Sequence, residues 1–251
     1  MVIGVFVGIS AGYVGSLMVL EKMALVGDAL SHVALPGLAL GILYNFNPFF
    51  GAFAFLFAAA VIIWHVGRVT RLSFEAIVGA VFTLALAIGI LMIRELDALE
   101  EALFGDITTV TAIDVLAAVA ISTVAVLLTR MIYKKLVLGM ISEELAISKG
   151  INIEAINLLY LLLVSLVVAV GIKIVGTLLV GFLVVVPAAA AKNISADLLK
   201  YSLLSSTFGA ISAAAGVSLS SYLNLPTGPL VVFAGVAVFI ATILAKWRTR
   251  W

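Results

Sequence analysis

The chain has 251 residues, of which 65% are hydrophobic and 11% charged, with a formal net charge of +1. A soluble domain averages about 25% charged and 45–50% apolar residues, so this composition excludes an aqueous globule and makes lipid the solvent. The near-neutral charge excludes a nucleic-acid footprint, and the absence of cysteine excludes thiolate metal sites, disulfides and cysteine nucleophiles.

A bilayer-spanning helix needs about 20 mostly apolar residues. The first predicted span runs near 2–20 and closes at Glu21-Lys22. It has no basic leader segment and is long enough to cross, so it reads as a span rather than a cleaved signal. The second runs near 24–43, and Asn45-Phe46-Asn47-Pro48 is a turn. The third, near 49–66, is closed by Arg68 and Arg71, and the fourth runs near 75–93. Glu21 and Glu75 read as flanking charges, and His65 beside Trp64 as interfacial. Residues 94–114 carry Glu95, Asp97, Glu100, Glu101, Asp106 and Asp114 and are too polar for the bilayer core.

A fifth span near 115–133 leads into a basic, polar segment from Lys134 to Asn152. The run from Ile156 to Ala191 is too long for one crossing, and Gly171, Lys173 and Gly176 mark its break. That gives spans near 156–172 and 174–191, with Lys173 as a loop or lipid-facing charge; the alternative is a short re-entrant turn at the membrane surface. The last two lie near 201–220 and 229–245, separated by Asn224-Leu225-Pro226-Thr227-Gly228-Pro229. The expected fold is all-α, a single polytopic transmembrane bundle over residues 1–251 with about eight or nine spans.

Placing the N-terminus outside puts twelve of fourteen Lys and Arg inside, leaving only Arg94 and Lys173 outside. This bias orients the chain in the cytoplasmic membrane with its C-terminus in the cytoplasm. Small residues crowd the first span at Gly12, Gly15 and Ser16 and the eighth at Ser205, Ser206, Gly209 and Ala213, which suits close helix packing in lipid.

Within the second span stands Gly27-Asp28-Ala29-Leu30-Ser31-His32, followed by Leu35-Pro36-Gly37. Asp28 and His32 are four apart, so a helix puts both on one face. Ionisable groups inside a membrane are costly and point to function; a carboxylate and an imidazole together suit a divalent metal. The plainer alternative is Asp28 as a helix cap and His32 as a satisfied interior histidine. Zinc takes four ligands, and a two-fold homodimer with this helix at its seam would bring two Asp28 and two His32 together. Gly27, Gly37 and Gly41 would allow close approach, and Pro36 would kink the helix and free a carbonyl. Because only neutral imidazole binds metal, binding should weaken below about pH 6.

The segment Ser142-Glu143-Glu144-Leu145-Ala146, ending at Gly150, reads as a short helix outside the membrane. Ser142 suits the cap, the two glutamates suit the positive end of the dipole and Gly150 suits the stop. It is a natural docking knob or a solvated connector. No G-x-x-x-x-G-K-[ST] phosphate loop occurs, so the chain does not hydrolyse ATP by that route.

These stretches, with Leu103-Phe104-Gly105-Asp106-Ile107 and Val184-Val185-Val186-Pro187-Ala188-Ala189, occur in an order that resembles the membrane permease of zinc- and manganese-type ATP-binding cassette importers. The resemblance implies a homodimer that docks two cytoplasmic ATP-binding subunits and receives metal from an extracellular or periplasmic binding protein. It implies that Ser142, Glu143, Glu144, Leu145, Ala146 and Gly150 belong to a coupling helix and that Asp28 and His32 handle the transported ion. That ion would be zinc, manganese or iron, with no permanently bound cofactor. The competing readings are an ion-gradient-driven secondary metal transporter and a permease for a siderophore- or cobalamin-type chelate. The first would not need a docking helix, and the second would not need ligands for a bare metal.

Overall fold

The computed structural model describes residues 1–70, 72–92, 103–104, 111–177 and 179–248. Most of the acidic 94–114 segment, residues 105–107 of the Leu103–Ile107 stretch, Arg71 and Arg250 lie outside the described residues. The chain forms helices α1 (Val2–Leu20), α2 (Ala24–Val33), α3 (Leu35–Leu43), α4 (Pro48–Val69), α5 (Phe74–Met92), α6 (Ala112–Ile141), α7 (Glu143–Ser148), α8 (Ile153–Val175), α9 (Val180–Ile194), α10 (Leu198–Leu223) and α11 (Thr227–Arg248), with no strand among the described residues.

Local chemistry sets many of the boundaries. The Asn47 carboxamide oxygen accepts from the Phe49 N–H at 3.0 Å, with Pro48 opening α4. Thr111 and Asp114 form a reciprocal capping box on α6. Asn152 caps α8 through the Ala155 N–H at 3.0 Å, and Asp197 caps α10 through the Lys200 N–H at 2.8 Å. Each such cap satisfies one of the donors a helix start leaves open.

Among the described residues, eight helices are long and apolar enough to cross a membrane, with α2 and α3 together making one span, Ala24–Leu43. The chain is therefore a multi-pass membrane protein. The ninth expected crossing is α9, which has only 15 residues. It rises about 22 Å, short of the roughly 30 Å hydrocarbon core. The irregular stretch before it begins at Gly176, whose φ is +79°. A Cβ there would collide with the Leu103 carbonyl, so only glycine fits the turn. Val175 and Thr177 are fully buried, as non-helical backbone at membrane depth requires. Lys173 is not a loop or lipid-facing charge: it sits in the last turn of α8, with Nζ 2.6 Å from the Asp114 carboxylate of α6.

Helix α1 runs through the centre and packs on α6, α8, α9 and α10. Lipid gives no hydrophobic drive for helices to associate, so contact depends on close backbone approach and polar glue. Gly8 and Gly209 face each other so closely that a Cβ on either would strike the other's backbone, and a Cβ on Gly12 would strike Ser205. The Ser205 hydroxyl donates to the Gly12 carbonyl, and Ser10 bonds Ser122 of α6 at 3.3 Å. The small residues expected to pack helices thus meet at the α1–α10 seam. Gly209→Val is expected to destabilise the protein by at least the roughly 1–3 kcal/mol of core overpacking, read as a lower thermal midpoint in detergent.

Candidate metal site and coupling helix

Helix α2 begins at Met23, its N-cap, so Asp28 is an interior helical residue and does not cap it. Asp28 and Leu25 are exposed on the protomer surface, His32 is half-buried, and Val26, Gly27, Leu30 and Ser31 face inward. Leu25, Asp28 and His32 follow helical spacing along one side of α2, with Leu25 and Asp28 exposed and His32 at its inner edge.

Three contacts hold this stripe. Gly181 of α9 lies against the Asp28 backbone so closely that a Cβ would overlap it. The Ser31 hydroxyl donates to the Asp28 carbonyl at 2.6 Å. The His32 ring packs on Phe82 of α5 with centroids 5.4 Å apart. Nδ1 of His32 is buried and has no hydrogen-bond partner among the described residues, an arrangement native interiors rarely leave without a purpose. Among the described residues, no group of three His, Asp or Glu converges to hold a metal. Asp28 and His32 therefore offer a carboxylate and an imidazole that one protomer's described residues leave short of the four ligands zinc takes. Pro36, in the first turn of α3, has no N–H to give the His32 carbonyl, and the helix breaks at Ala34.

The other predicted element is α7. The Ser142 hydroxyl accepts from the Leu145 N–H at 3.2 Å, with Glu143 and Glu144 in the first turn. The chain leaves the helix through Gly150 at φ +73°, where the Ile151 N–H bonds the Ala146 carbonyl at 3.1 Å. Only Ala146 is buried; Glu143, Glu144, Leu145 and Ile147 are exposed. Two apolar side chains thus stand among charges on a rigidly capped knob. His65 is exposed near the end of α4 against Trp64, apart from the α2 stripe.

Glu21 is more than a flanking charge. It is half-buried in the turn between α1 and α2, and loss of hydration pushes its carboxyl up to about 7. Beside it, the Arg68 guanidinium pairs with Glu154 at 2.9 Å, and the Trp64 indole N–H donates to the Glu154 carbonyl at 3.0 Å. The sequence offered little signal for this burial, because the apolar surroundings come from α4, α6 and α8.

A multi-pass helical bundle that carries an Asp and a His on one face of one span, with a short capped helix between two others, has the architecture of a membrane permease. The chain matches the ABC 3 transport family over residues 1–246 and belongs to it. It is 32% identical over 247 residues to the manganese transport system membrane protein MntC of Listeria monocytogenes, covering 97% of this chain and 88% of that protein. It is 31% identical over 249 residues to the high-affinity zinc uptake system membrane protein ZnuB of Buchnera aphidicola, covering 97% and 95%. Among solved structures it resembles PsaBC from Streptococcus pneumoniae in complex with Fab, with a TM-score of 0.84, 30% identity and coverage of 96% of this chain and 88% of that one.

Two outcomes are expected. Asp28→Ala and His32→Ala should each weaken divalent-metal binding at neutral pH by at least about tenfold, the lower end of what perturbing a metal site costs, read by calorimetry on the purified protein. Folding keeps Glu21 protonated to about pH 7, whereas an unfolded glutamate ionises near 4.3. Wild-type stability is therefore lost as pH rises across that window. Glu21→Gln should raise the thermal midpoint at pH 8 and leave it nearly unchanged at pH 4.

Proposed function

We propose that the chain is the membrane permease of an importer that moves a divalent metal ion, zinc, manganese or iron, across the cytoplasmic membrane as a homodimer. The observation that carries this is the exposed Asp28 beside a buried His32 nitrogen that no described residue partners. An Asp turned to lipid within a span is costly and is tolerated where it meets protein, water or an ion. A second copy across a two-fold axis removes that exposure and completes two carboxylates and two imidazoles. The manganese and zinc names of the relatives agree with a borderline oxygen and nitrogen ligand set.

The whole chain acts as one permease domain. A binding protein on the outer face delivers the ion, and a cytoplasmic ATP-binding subunit docks on α7. The chemistry is ligand exchange: the ion sheds water, takes Asp28 and His32, and is released inward when the two protomers rearrange. Neutral His32 is the binding form, so uptake falls below about pH 6. With α9 and the stretch before it completing a ninth crossing, the charge bias supports a cytoplasmic side for α7, Arg68 and the C-terminus.

The test is ATP-driven uptake into vesicles containing the permease, its ATP-binding subunit and the binding protein. Wild type is expected to accumulate zinc, manganese or iron only with ATP. Leu145→Asp together with Ile147→Asp should abolish both ATP-binding-subunit association and uptake while leaving metal binding intact. Uptake that persists without the ATP-binding subunit would overturn the reading in favour of a gradient-driven carrier.

A further inference from the structure

Glu21 stands between two cavities. One, about 150 Å³, is lined by Glu21, Gly139 and Met140 of α6, Glu143 of α7, and Ile153 and Asn157 of α8. The other, about 380 Å³, is lined by Glu21, Met23, Trp64 and Arg68 of α4, and Asn157 and Tyr160 of α8. Among the described residues no hydrogen bond or ion pair reaches the Glu21 carboxyl. A half-buried carboxyl without a partner costs stability, and removing it should be favourable unless it does something.

Its place in the chain says what that is. The Glu21 N–H bonds the Leu17 carbonyl at 2.9 Å, and the Met23 N–H bonds the Met18 carbonyl at 2.9 Å. Between them Lys22 is held at φ +62°, a conformation uncommon for any residue but glycine. This short, tightly bonded turn leads directly into Met23, the N-cap of α2. A push on the Glu21 side chain is passed to the first turn of the helix carrying Asp28 and His32. The source of a push is equally close, since Glu143, the first residue of α7, lines the smaller cavity with it. Space on both sides of the carboxyl lets it move without repacking the core.

We propose that Glu21 is the positioning residue through which movement of α7 reaches α2. This rests on the reading of α7 as the docking site of an ATP-binding subunit. In the present arrangement Glu21 and Glu143 face one cavity, and an approach of α7 drives the two carboxylates apart. Asn157 faces both cavities and offers the amide donor that Glu21 meets when it swings away from α7. The charged and titratable groups around Glu21 are Lys22 on its own turn, Arg68 of α4, Glu143 of α7, and Glu154 and Tyr160 of α8, with Tyr133 of α6 and Tyr201 of α10 behind Tyr160. Because the carboxyl changes charge near pH 7, the coupling is strongest above that pH, where repulsion from Glu143 is complete.

The experiment uses the complete complex in vesicles, with manganese and zinc as the transported ions. It compares wild type with Glu21→Gln and Glu21→Asp, reading ATP turnover, ions moved per ATP, and deuterium uptake of residues 23–33 when ATP is added. Glu21→Gln should keep metal binding and ATP turnover within about twofold and lose about tenfold in ions moved per ATP, within the range known for coupling residues. Its deuterium response in α2 should vanish, and Glu21→Asp should restore part of both. Wild-type ions per ATP should rise through pH 7, while the Gln variant stays flat. Glu21→Gln with wild-type ions per ATP and a wild-type α2 response would overturn the proposal, as would loss of subunit docking or metal affinity, which marks a purely structural role. If wild type moves no metal yet its α2 response to ATP depends on Glu21, the importer reading falls and the coupling role stands.

Discussion

In lipid, helices gain nothing from burying apolar side chains against one another, so this bundle depends on backbones that come close enough to touch. The contact that everything else refers to is α1 against its neighbours, through Gly8 and Gly209, Gly12 and Ser205, and Gly15 and the Val184 carbonyl. These approaches leave no room for a Cβ. They place α9 and α10 on either side of a central helix and thereby set where α2 can lie. Gly181 of α9 then receives the backbone of Asp28 in the same manner. The position of the carboxylate is therefore set by packing between small residues on the neighbouring helices α1 and α9.

That packing buries one side of α2 and leaves the other open. Leu30 and Ser31 have no exposed surface, while Asp28 on the same helix is open to the outside of the protomer. His32 sits at the boundary, its ring tilted against Phe82 and its Nδ1 closed off without a partner among the described residues. A soluble protein would hydrate such a pair. In a membrane the same pair is stable only where a protein surface, water or an ion meets it.

The two ends of the machine are linked by short, stiff pieces. The capped α7 joins α6 through a single extended residue, Ser142, and the α1–α2 turn is held by hydrogen bonds back to α1. Glu21 lies between them, and the Arg68–Glu154 pair and the Trp64 indole brace α4 against α8 on the far side of the same cavity. Short, capped or hydrogen-bonded pieces thus surround the two small voids next to Glu21.

Much of this was legible in the sequence because it rests on local chemistry. Apolar length located the spans, Ser142 and Gly150 delimited α7, and the four-residue spacing of Asp28 and His32 placed them on one face, since helical period is a property of the chain alone. Three-dimensional packing decided the rest. It shortened α9, because the turn at Gly176 is shaped by Leu103 from a distant segment. It drew Lys173 out of the expected loop and onto Asp114, because the α6 and α8 ends happen to meet. It turned Glu21 from a flanking charge into a half-buried carboxyl, because burial is conferred by neighbours from α4, α6 and α8 that no window of sequence around residue 21 contains. Periodicity tells which face a residue occupies; only the folded bundle tells what that face meets.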